Sequence, residues 1–366
     1  MPQAVFLGQS AIRELLPVLQ QYVPTHILLV RGKKSYTSCG AQAMLEKVFS
    51  HFDCRVTEFY DFEENPKALD LQKALSLIGD ASISVIMAVG GGSVLDMAKL
   101  VRFFYSYSGE FTGNSFHKER ELVPLIVLPT TAGTGSEATH FAVLYDNHVK
   151  YSVEHEAMLA DVAFVYPPFT YQNSSYLTAC TGFDALAQAI EAFWNVNANE
   201  ESEGYAKRAI ELLWSNLPLA VNSPTHEIRD KISEGAYWAG RAIRITRTTA
   251  PHAFSYPFTT YYGIPHGHAV ALLFPYIAEY NLSHMLDGQR LCDLLGIQCI
   301  QYVERDFCNY LVEIGLSLTE EVRNSIDEQL ILDNVNIKRL VNNPVPVNRE
   351  VAEKFIKRLK QATDCR

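Results

Sequence analysis

The sequence predicts an α/β unit followed by an all-helical unit. Three observations carry that reading. Short β-rich runs alternate with helically spaced stretches over about the first 165 residues, and this alternation implies a parallel, doubly wound sheet. VYPPFT (165–170) then places two prolines in a row, which favours a linker over either regular element. From about residue 171 onward almost every segment has helical spacing. The expected boundary divides the chain into 1–168, a Rossmann-like α/β domain, and 169–366, a helical domain.

In order along the first unit, THILLVRG (25–32) is a buried-strand pattern ending in a turn, and AQAMLEKVFSHF (41–52) follows with helical spacing. CRVTEFYDF (54–62) reads as a second strand and ALDLQKALSLIG (68–79) as a second helix. ISVIMAVGGGS (83–93) is a third strand running into a glycine turn, with VLDMAKLVRFFYS (94–106) as its helix. LVPLIVLPTTAGTGSE (122–137) is another apolar strand opening into a loop of small residues. In the second unit, YLTACTGFDALAQAIEAFW (176–194), GYAKRAIELLWSNLPLAV (204–221), DKISEGAYWAGRAI (230–243) and REVAEKFIKRLKQAT (349–363) read as helices.

Composition narrows the function classes. A hydrophobic content of 48% and a charged content of 20% suit a soluble globular protein large enough for two cores. The formal net charge of -10 argues against a general nucleic-acid or anionic-membrane surface, which needs a basic face. The first thirty residues show no basic stretch followed by an apolar one, and no apolar run is long enough to span a bilayer. Cys39, Cys54, Cys180, Cys292, Cys299, Cys308 and Cys365 are odd in number and form no C-x-x-C pair. They read as reduced thiols of a cytoplasmic protein.

Two loops point to an anionic ligand. AVGGGSVLDMAKL (88–100) sets three glycines and a serine between a strand and a helix. Glycines let a backbone come close to a ligand, and the free N–H groups of a helix start face an anion. Neither G-x-G-x-x-G nor a Walker sequence is present, and a tight turn alone would also use glycine. Asp96 and Lys99, on the helix that follows, either contact a ribose or nicotinamide or form a solvated face. PTTAGTGSEAT (129–139) is a second small-residue loop at a strand end, and two such loops fit a dinucleotide better than a mononucleotide.

The helical half carries candidate metal ligands. Asp184 and Gln188, four apart, share a helix face. His252 and His266 follow fourteen residues apart, the second held between Pro265 and Gly267. A carboxylate with two imidazoles is the donor set of a catalytic zinc or ferrous site that leaves a position open for substrate. Spacing alone does not decide it, since a lone histidine is commonly structural.

GGGSVLDMAK, PTTAGTGSEAT, GFDALAQAIEA and HAFSYPFTTYYGIPHG, in that order and spacing, resemble the iron-containing (group III) alcohol dehydrogenases. Glycerol dehydrogenases and dehydroquinate synthases belong to the same superfamily, and the resemblance covers nearly the whole chain. It implies a dinucleotide-binding domain and a helical domain, with cofactor and one divalent metal, Zn2+ or Fe2+, in the cleft between them. Gly91, Gly92 and Ser93 then resemble pyrophosphate-binding positions. Asp96, Thr130, Thr131, Thr134 and Thr139 resemble positions around the nicotinamide and its ribose, and Lys150 a cofactor-contacting lysine. Asp184, His252 and His266 match three metal ligands. The family's fourth ligand, usually histidine, falls on Gln188. A further family histidine, proposed as a proton relay, falls on Tyr256, and His268 lies close enough in sequence to substitute for it.

AGRAIRITRTTAPHAFSYP (239–257) adds Arg241, Arg244 and Arg247 just before His252. Guanidinium suits a phosphonate, phosphate or sulfonate head, although in an acidic chain such arginines are also solvated or paired. With the Asp184/Gln188 pair, the segment is similar to the phosphonoacetaldehyde and sulfoacetaldehyde reductases, which places Arg244 and Arg247 at the substrate. After THILLV the family often has an acidic residue for the ribose 2′-hydroxyl. Here Gly32 stands there among Arg31, Lys33 and Lys34, so NADPH is expected beside NADH. The expected assembly is a homodimer. Open alternatives are a general short-chain alcohol or glycerol dehydrogenase, a sugar-phosphate cyclase, and a nucleotide-binding protein that has lost its metal. A metal-dependent hydrolase would leave the two loops unexplained.

Overall fold

The computed structural model describes residues 2–109, 116–146 and 149–362; Cys365 and Thr363 lie outside them. Two compact units appear, Met1–Gln172 and Asn173–Arg366. No helix among the described residues is long and apolar enough to cross a membrane, and no disulfide joins the described cysteines.

The first unit contains β1 (Ala4–Leu7), β2 (His26–Arg31), β3 (Arg55–Phe59), β4 (Val85–Gly90), β5 (Tyr107–Gly109), β6 (Phe116–Lys118), β7 (Leu125–Pro129), β8 (Phe141–Asp146), β9 (Val149–Glu154) and β10 (Val162–Val165). Six of these form one sheet in the order β1-β10-β7-β4-β2-β3. Every pairing in it is parallel. β5–β6 and β8–β9 are separate antiparallel pairs.

β2 shows why its sequence reads as an unbroken apolar run. Leu28 and Val30 enter the core on one face, with Leu95 and Ala98 of helix α4 (Gly92–Ser106). Ile27 and Leu29 enter the opposite core with Leu15 and Leu19 of α1 (Leu15–Tyr22) and Leu45 of α2 (Ala41–Phe49). A strand buried on both faces has no polar alternation. Helix α3 (Ala68–Ile78) completes the first of these layers. Helix α4 begins inside the glycine run: Gly90 ends β4, Gly91 is the N-cap and Gly92 the first helical residue.

The regular elements of the second unit are all helices among its described residues. Its main helices are α5 (Ser175–Phe193), α6 (Glu200–Leu213), α7 (His226–Thr246), α8 (Ala250–Tyr262), α9 (His266–His284), α10 (Val303–Glu313) and α11 (Arg349–Gln361). Phe254 and Phe258 of α8, Leu273 and Ile277 of α9, and Phe355 and Ile356 of α11 share one core. Helix α5 starts at Ser174, whose hydroxyl accepts from the Leu177 N–H, and is buried without interruption from Gly182 to Phe193. It is therefore a central helix, and any polar residue on that stretch must find a partner inside.

Candidate active site

In the first unit the two predicted loops pack on each other. A Cβ at Gly92 would lie 2.6 Å from Thr134 Cγ2, and one at Gly91 would lie 3.3 Å from Thr131 Oγ1. The glycines thus admit the second loop as well as leaving the first N–H groups of α4 without intrahelical acceptors. Ser93 Oγ accepts from the Asn65 N–H at 3.0 Å, which fixes its side chain.

Lys99 joins the loops from inside. It is fully buried, and its ammonium donates to Ser136 Oγ (2.8 Å), Thr139 Oγ1 (3.0 Å) and the Phe141 carbonyl (3.1 Å). Burial lowers its pKa to about 8, against the pull of Asp96 and Glu137. Asp96 accepts from Ser136 Oγ (2.5 Å) and from the Val143 N–H (2.9 Å). Of the two sequence readings for this pair, the solvated face is excluded for Lys99. Thr130 and Thr139 are buried, while Thr131 and Thr134 keep partial exposure. Lys150 lies on β9 with its ammonium 6.0 Å from the Tyr145 ring.

Gly32 closes β2, its N–H donating to the Val89 carbonyl at 3.0 Å. A Cβ there would meet Ser35 Oγ at 2.1 Å, so that hydroxyl fills the space beside it. Of the neighbouring cations, Arg31 donates to Glu58 (2.8 Å) and stacks on Tyr60 (3.8 Å), and Lys33 lies 3.6 Å from Asp61.

In the second unit, residues far apart in sequence converge. Asp184 comes from the middle of α5, His252 from the first turn of α8, and His266 from the first residue of α9. Their ligand atoms all lie within 4.8 Å of one another. His252 Nε2 is 3.1 Å from Asp184 Oδ1 and His266 Nε2 is 3.9 Å from the same oxygen. Gly267 makes this approach physical: a Cβ there would fall 1.9 Å from the Cys180 carbonyl oxygen, so α9 starts directly against the backbone of α5.

Gln188 is 4% exposed, and its amide nitrogen donates to Asp184 Oδ2 at 3.2 Å. Its amide oxygen is buried with no hydrogen-bond partner. An orphaned acceptor beside a carboxylate and two imidazoles is a donor set short of a cation, and a divalent metal fits it. Charge agrees with that reading. Burial opposes ionisation of Asp184, but the hydrogen bond from His252 and the charge of His266 overcome it and hold the carboxyl below its usual value. Burial likewise opposes a charged His252, and Glu191 and Asp184 outweigh it, raising the pKa.

Glu191 is the residue against this cluster that sequence reasoning missed. It is wholly buried, and its Oε2 pairs with His252 Nδ1. Its Oε1 accepts from the Thr249 N–H (2.8 Å), the Thr249 hydroxyl (2.9 Å) and the His252 N–H (3.4 Å). The signal was available in the sequence. Asp184, Gln188 and Glu191 stand at i, i+4 and i+7, one face over two turns of an otherwise apolar helix.

The remaining predicted residues are distributed unevenly. Tyr256 lies parallel to His266, ring centroids 6.1 Å apart, and borders the cluster. His268 is two residues along α9, on a different helix face, and its Nδ1 meets the Tyr176 hydroxyl at 3.0 Å. Arg241 donates to the Tyr237 and Tyr205 hydroxyls (3.1 and 2.7 Å), the paired fate that the sequence had left open. Arg244 is half-buried in the last turn of α7. Arg247 caps that helix, donating to the carbonyls of Ile243 (3.3 Å) and Arg244 (2.6 Å).

Comparison with known proteins gives a consistent picture. A family model described as iron-containing alcohol dehydrogenase matches residues 2–167, and one for the C-terminal part of Fe-containing alcohol dehydrogenases matches 178–350. Long-chain-alcohol dehydrogenase 1 of Geobacillus thermodenitrificans is 30% identical, over 94% of this chain and 92% of its own. The structure of sulfoacetaldehyde reductase from Bifidobacterium kashiwanohense, in complex with NAD+, aligns with a TM-score of 0.89 at 27% identity. That alignment covers 99% of this chain and 98% of the reductase. An iron-containing alcohol dehydrogenase from Thermotoga maritima aligns with a TM-score of 0.85 at 28% identity, over 99% of each chain.

Proposed function

The chain belongs to the iron-containing alcohol dehydrogenase family, and from that premise we propose that it reduces a small aldehyde bearing an anionic head. The substrate is phosphonoacetaldehyde or sulfoacetaldehyde and the product is the corresponding 2-hydroxyethyl compound. Family membership makes it a metal-dependent, NAD-linked oxidoreductase; the head group is the proposal. We further propose that it works as a cytoplasmic homodimer.

The observation that carries the anionic head is the backbone of Arg247. Its φ of 67° and ψ of -178° lie in a region that is essentially reserved for glycine. Holding another residue there costs about 1–3 kcal/mol. An arginine kept at such a cost, two residues before the Thr249 that hydrogen-bonds Glu191, argues for a use of its side chain. Guanidinium presents its N–H donors in a planar fork, a geometry that suits a phosphonate or sulfonate. Arg244, one turn earlier, is the second cation assigned to that head.

In this reading Asp184, His252 and His266 hold the divalent ion, iron or zinc, with Gln188 beside them. A cation bound there supplies Lewis-acid polarisation of the aldehyde carbonyl. Tyr256 stands beside His266 as the group that holds the proton which the nascent alcohol takes up. The burial of Asp184 and His252 keeps water from competing at those two donors. Gly91, Gly92, Ser93 and the threonines of the second loop hold the dinucleotide. NADPH is accepted beside NADH because Gly32 leaves no carboxylate to repel a 2′-phosphate. With Arg31 engaged by Glu58, the missing carboxylate is the main support for that expectation.

One assay tests the whole reading. Phosphonoacetaldehyde, sulfoacetaldehyde and acetaldehyde are turned over side by side with NADH and NADPH, with and without a chelator. One anionic aldehyde should exceed acetaldehyde in kcat/KM, and Arg247→Ala should lower that advantage roughly 10- to 100-fold, the loss of one charge-assisted hydrogen bond. Equal kcat/KM on acetaldehyde would sink the anionic head and favour a general alcohol dehydrogenase. Arg247→Gly separates function from fold, because it relieves the backbone while removing the guanidinium. It should match or exceed the parent in thermal midpoint and still lose the preference.

A further inference from the structure

We propose that Glu191 is the positioning residue of the metal centre: it fixes the proton of His252 on Nδ1, so that Nε2 is the ligating nitrogen. The inference rests on the metal reading of the Asp184–His252–His266 cluster and adds a residue that lies behind it. Three observations support it. The two ring nitrogens of His252 face different carboxylates, Nε2 toward Asp184 at 3.1 Å and Nδ1 toward Glu191 Oε2. Glu191 is 0% exposed and its hydrogen bonds run to Thr249 and His252, not to a lysine or an arginine. Its other oxygen is occupied by the Thr249 N–H and hydroxyl, and Trp194 Nε1 donates to that hydroxyl at 3.0 Å, so the carboxylate cannot swing away.

Both oxygens of Glu191 are therefore used as acceptors, and a carboxylate is the side chain that accepts on both. An amide accepts on one side alone. If the amide of a Glu191→Gln variant turned its oxygen to the Thr249 N–H, its NH2 would face His252 Nδ1 and drive the ring proton onto Nε2, where the metal must bind. If it turned its oxygen to His252, two donors would meet at Thr249. Charge works in the same direction. A divalent ion with Asp184, Glu191 and two neutral imidazoles is neutral overall, whereas the amide leaves one positive charge buried, which is costly. Hydrogen-bonded partners of this kind typically govern affinity by roughly 10- to 100-fold.

The competing role is purely structural, since Glu191 also caps the N-terminus of α8 through the Thr249 and His252 N–H groups. Two measurements separate them. Zn2+ affinity of Glu191→Gln, taken by chelator competition on protein shown to be folded by circular dichroism, should fall roughly 10- to 100-fold. Affinity equal to the parent's in folded Glu191→Gln overturns the proposal. The second measurement uses the intact chain, so it holds even where the variant fails to fold. Histidine 15N NMR of the Zn2+-loaded protein, with His252 assigned by its absence in His252→Ala, should show Nδ1 protonated and Nε2 bound to metal. Zn2+ on Nδ1, or a proton on Nε2, overturns it. A parent that binds no Zn2+ at all overturns the metal reading together with this one, whereas a parent that binds it and a Glu191→Gln that binds equally well overturn this one alone.

Discussion

Gln188 stands where the family usually has a histidine, and the structure gives that departure a specific form. Its amide nitrogen is spent on Asp184, while the oxygen, the atom able to ligate, is the one left without a partner. The two ends of an amide have nearly the same shape, so a half-turn about the last bond exchanges them and brings the oxygen to the Asp184 side. An amide oxygen is nevertheless a weaker donor than imidazole toward zinc or ferrous iron. Gln188→His should therefore raise metal retention several-fold, read as metal content after dialysis against a chelator. Unchanged retention would mean that position 188 does not reach the ion. Asp184, His252 and His266 could be picked out in the sequence as candidate ligands by residue type, but spacing alone did not decide them and it was the family resemblance that marked them as ligands. Glu191 shares the helix face of Asp184 and Gln188, at i+7 from Asp184, but that signal is easily passed over, because a glutamate within a helix ordinarily reads as solvated and its burial is a property of the packing around α5. The backbone of Arg247 was equally hidden, since no pattern of residue types reports a positive φ on an arginine.

Between elements, the decisive contact is the crossing of α5 and α9. His266 reaches Asp184 because α9 begins against the α5 backbone, and Gly267 is the residue that permits it. An added Cβ would lie 1.9 Å from the Cys180 oxygen, 2.7 Å from its carbonyl carbon and 3.2 Å from Asp184 Cβ. The first two are backbone atoms with no rotamer to escape through, so α9 itself would have to move. Gly267→Ala should cost about 1–3 kcal/mol of stability, as overpacking does, and should weaken Zn2+ binding by displacing His266. Calorimetry and chelator titration read both, and a parent-like midpoint with parent-like affinity would show that α9 shifts freely. Elements were unevenly legible for physical reasons. β2 and β4, buried on both faces, announce themselves as apolar runs, and the long helices by their spacing. β1 and β10 have four residues each, too few to establish a period, and β10 leads straight into the proline pair that the sequence presents as a linker. The glycine run was expected to precede its helix, whereas Gly92 is already helical.

Taken as a whole molecule, the second unit buries two carboxylates, Asp184 and Glu191, on either side of the buried imidazole of His252, with half-buried His266 beside Asp184. Without a cation the core relies on a proton on His252, which Glu191 and Asp184 favour against the burial that opposes its charge. A divalent ion would supply that positive charge at donors which only folding brings together, so it should bind the folded chain far better than the unfolded one. Mass action then ties metal to fold stability: an ion at 100 times its Kd adds about 2.7 kcal/mol, and each further tenfold adds about 1.4 kcal/mol. The thermal midpoint of the metal-free protein should accordingly climb with the logarithm of Zn2+ or Fe2+ concentration, and a chelator should return it to its starting value. Mg2+ should do far less, because imidazole is a poor ligand for it. A midpoint indifferent to Zn2+ would mean that the cluster is satisfied by protons alone. A midpoint that responds to Mg2+ as strongly as to Zn2+ would mean that the carboxylates bind without His252 and His266, and the site would then need to be redrawn around Asp184.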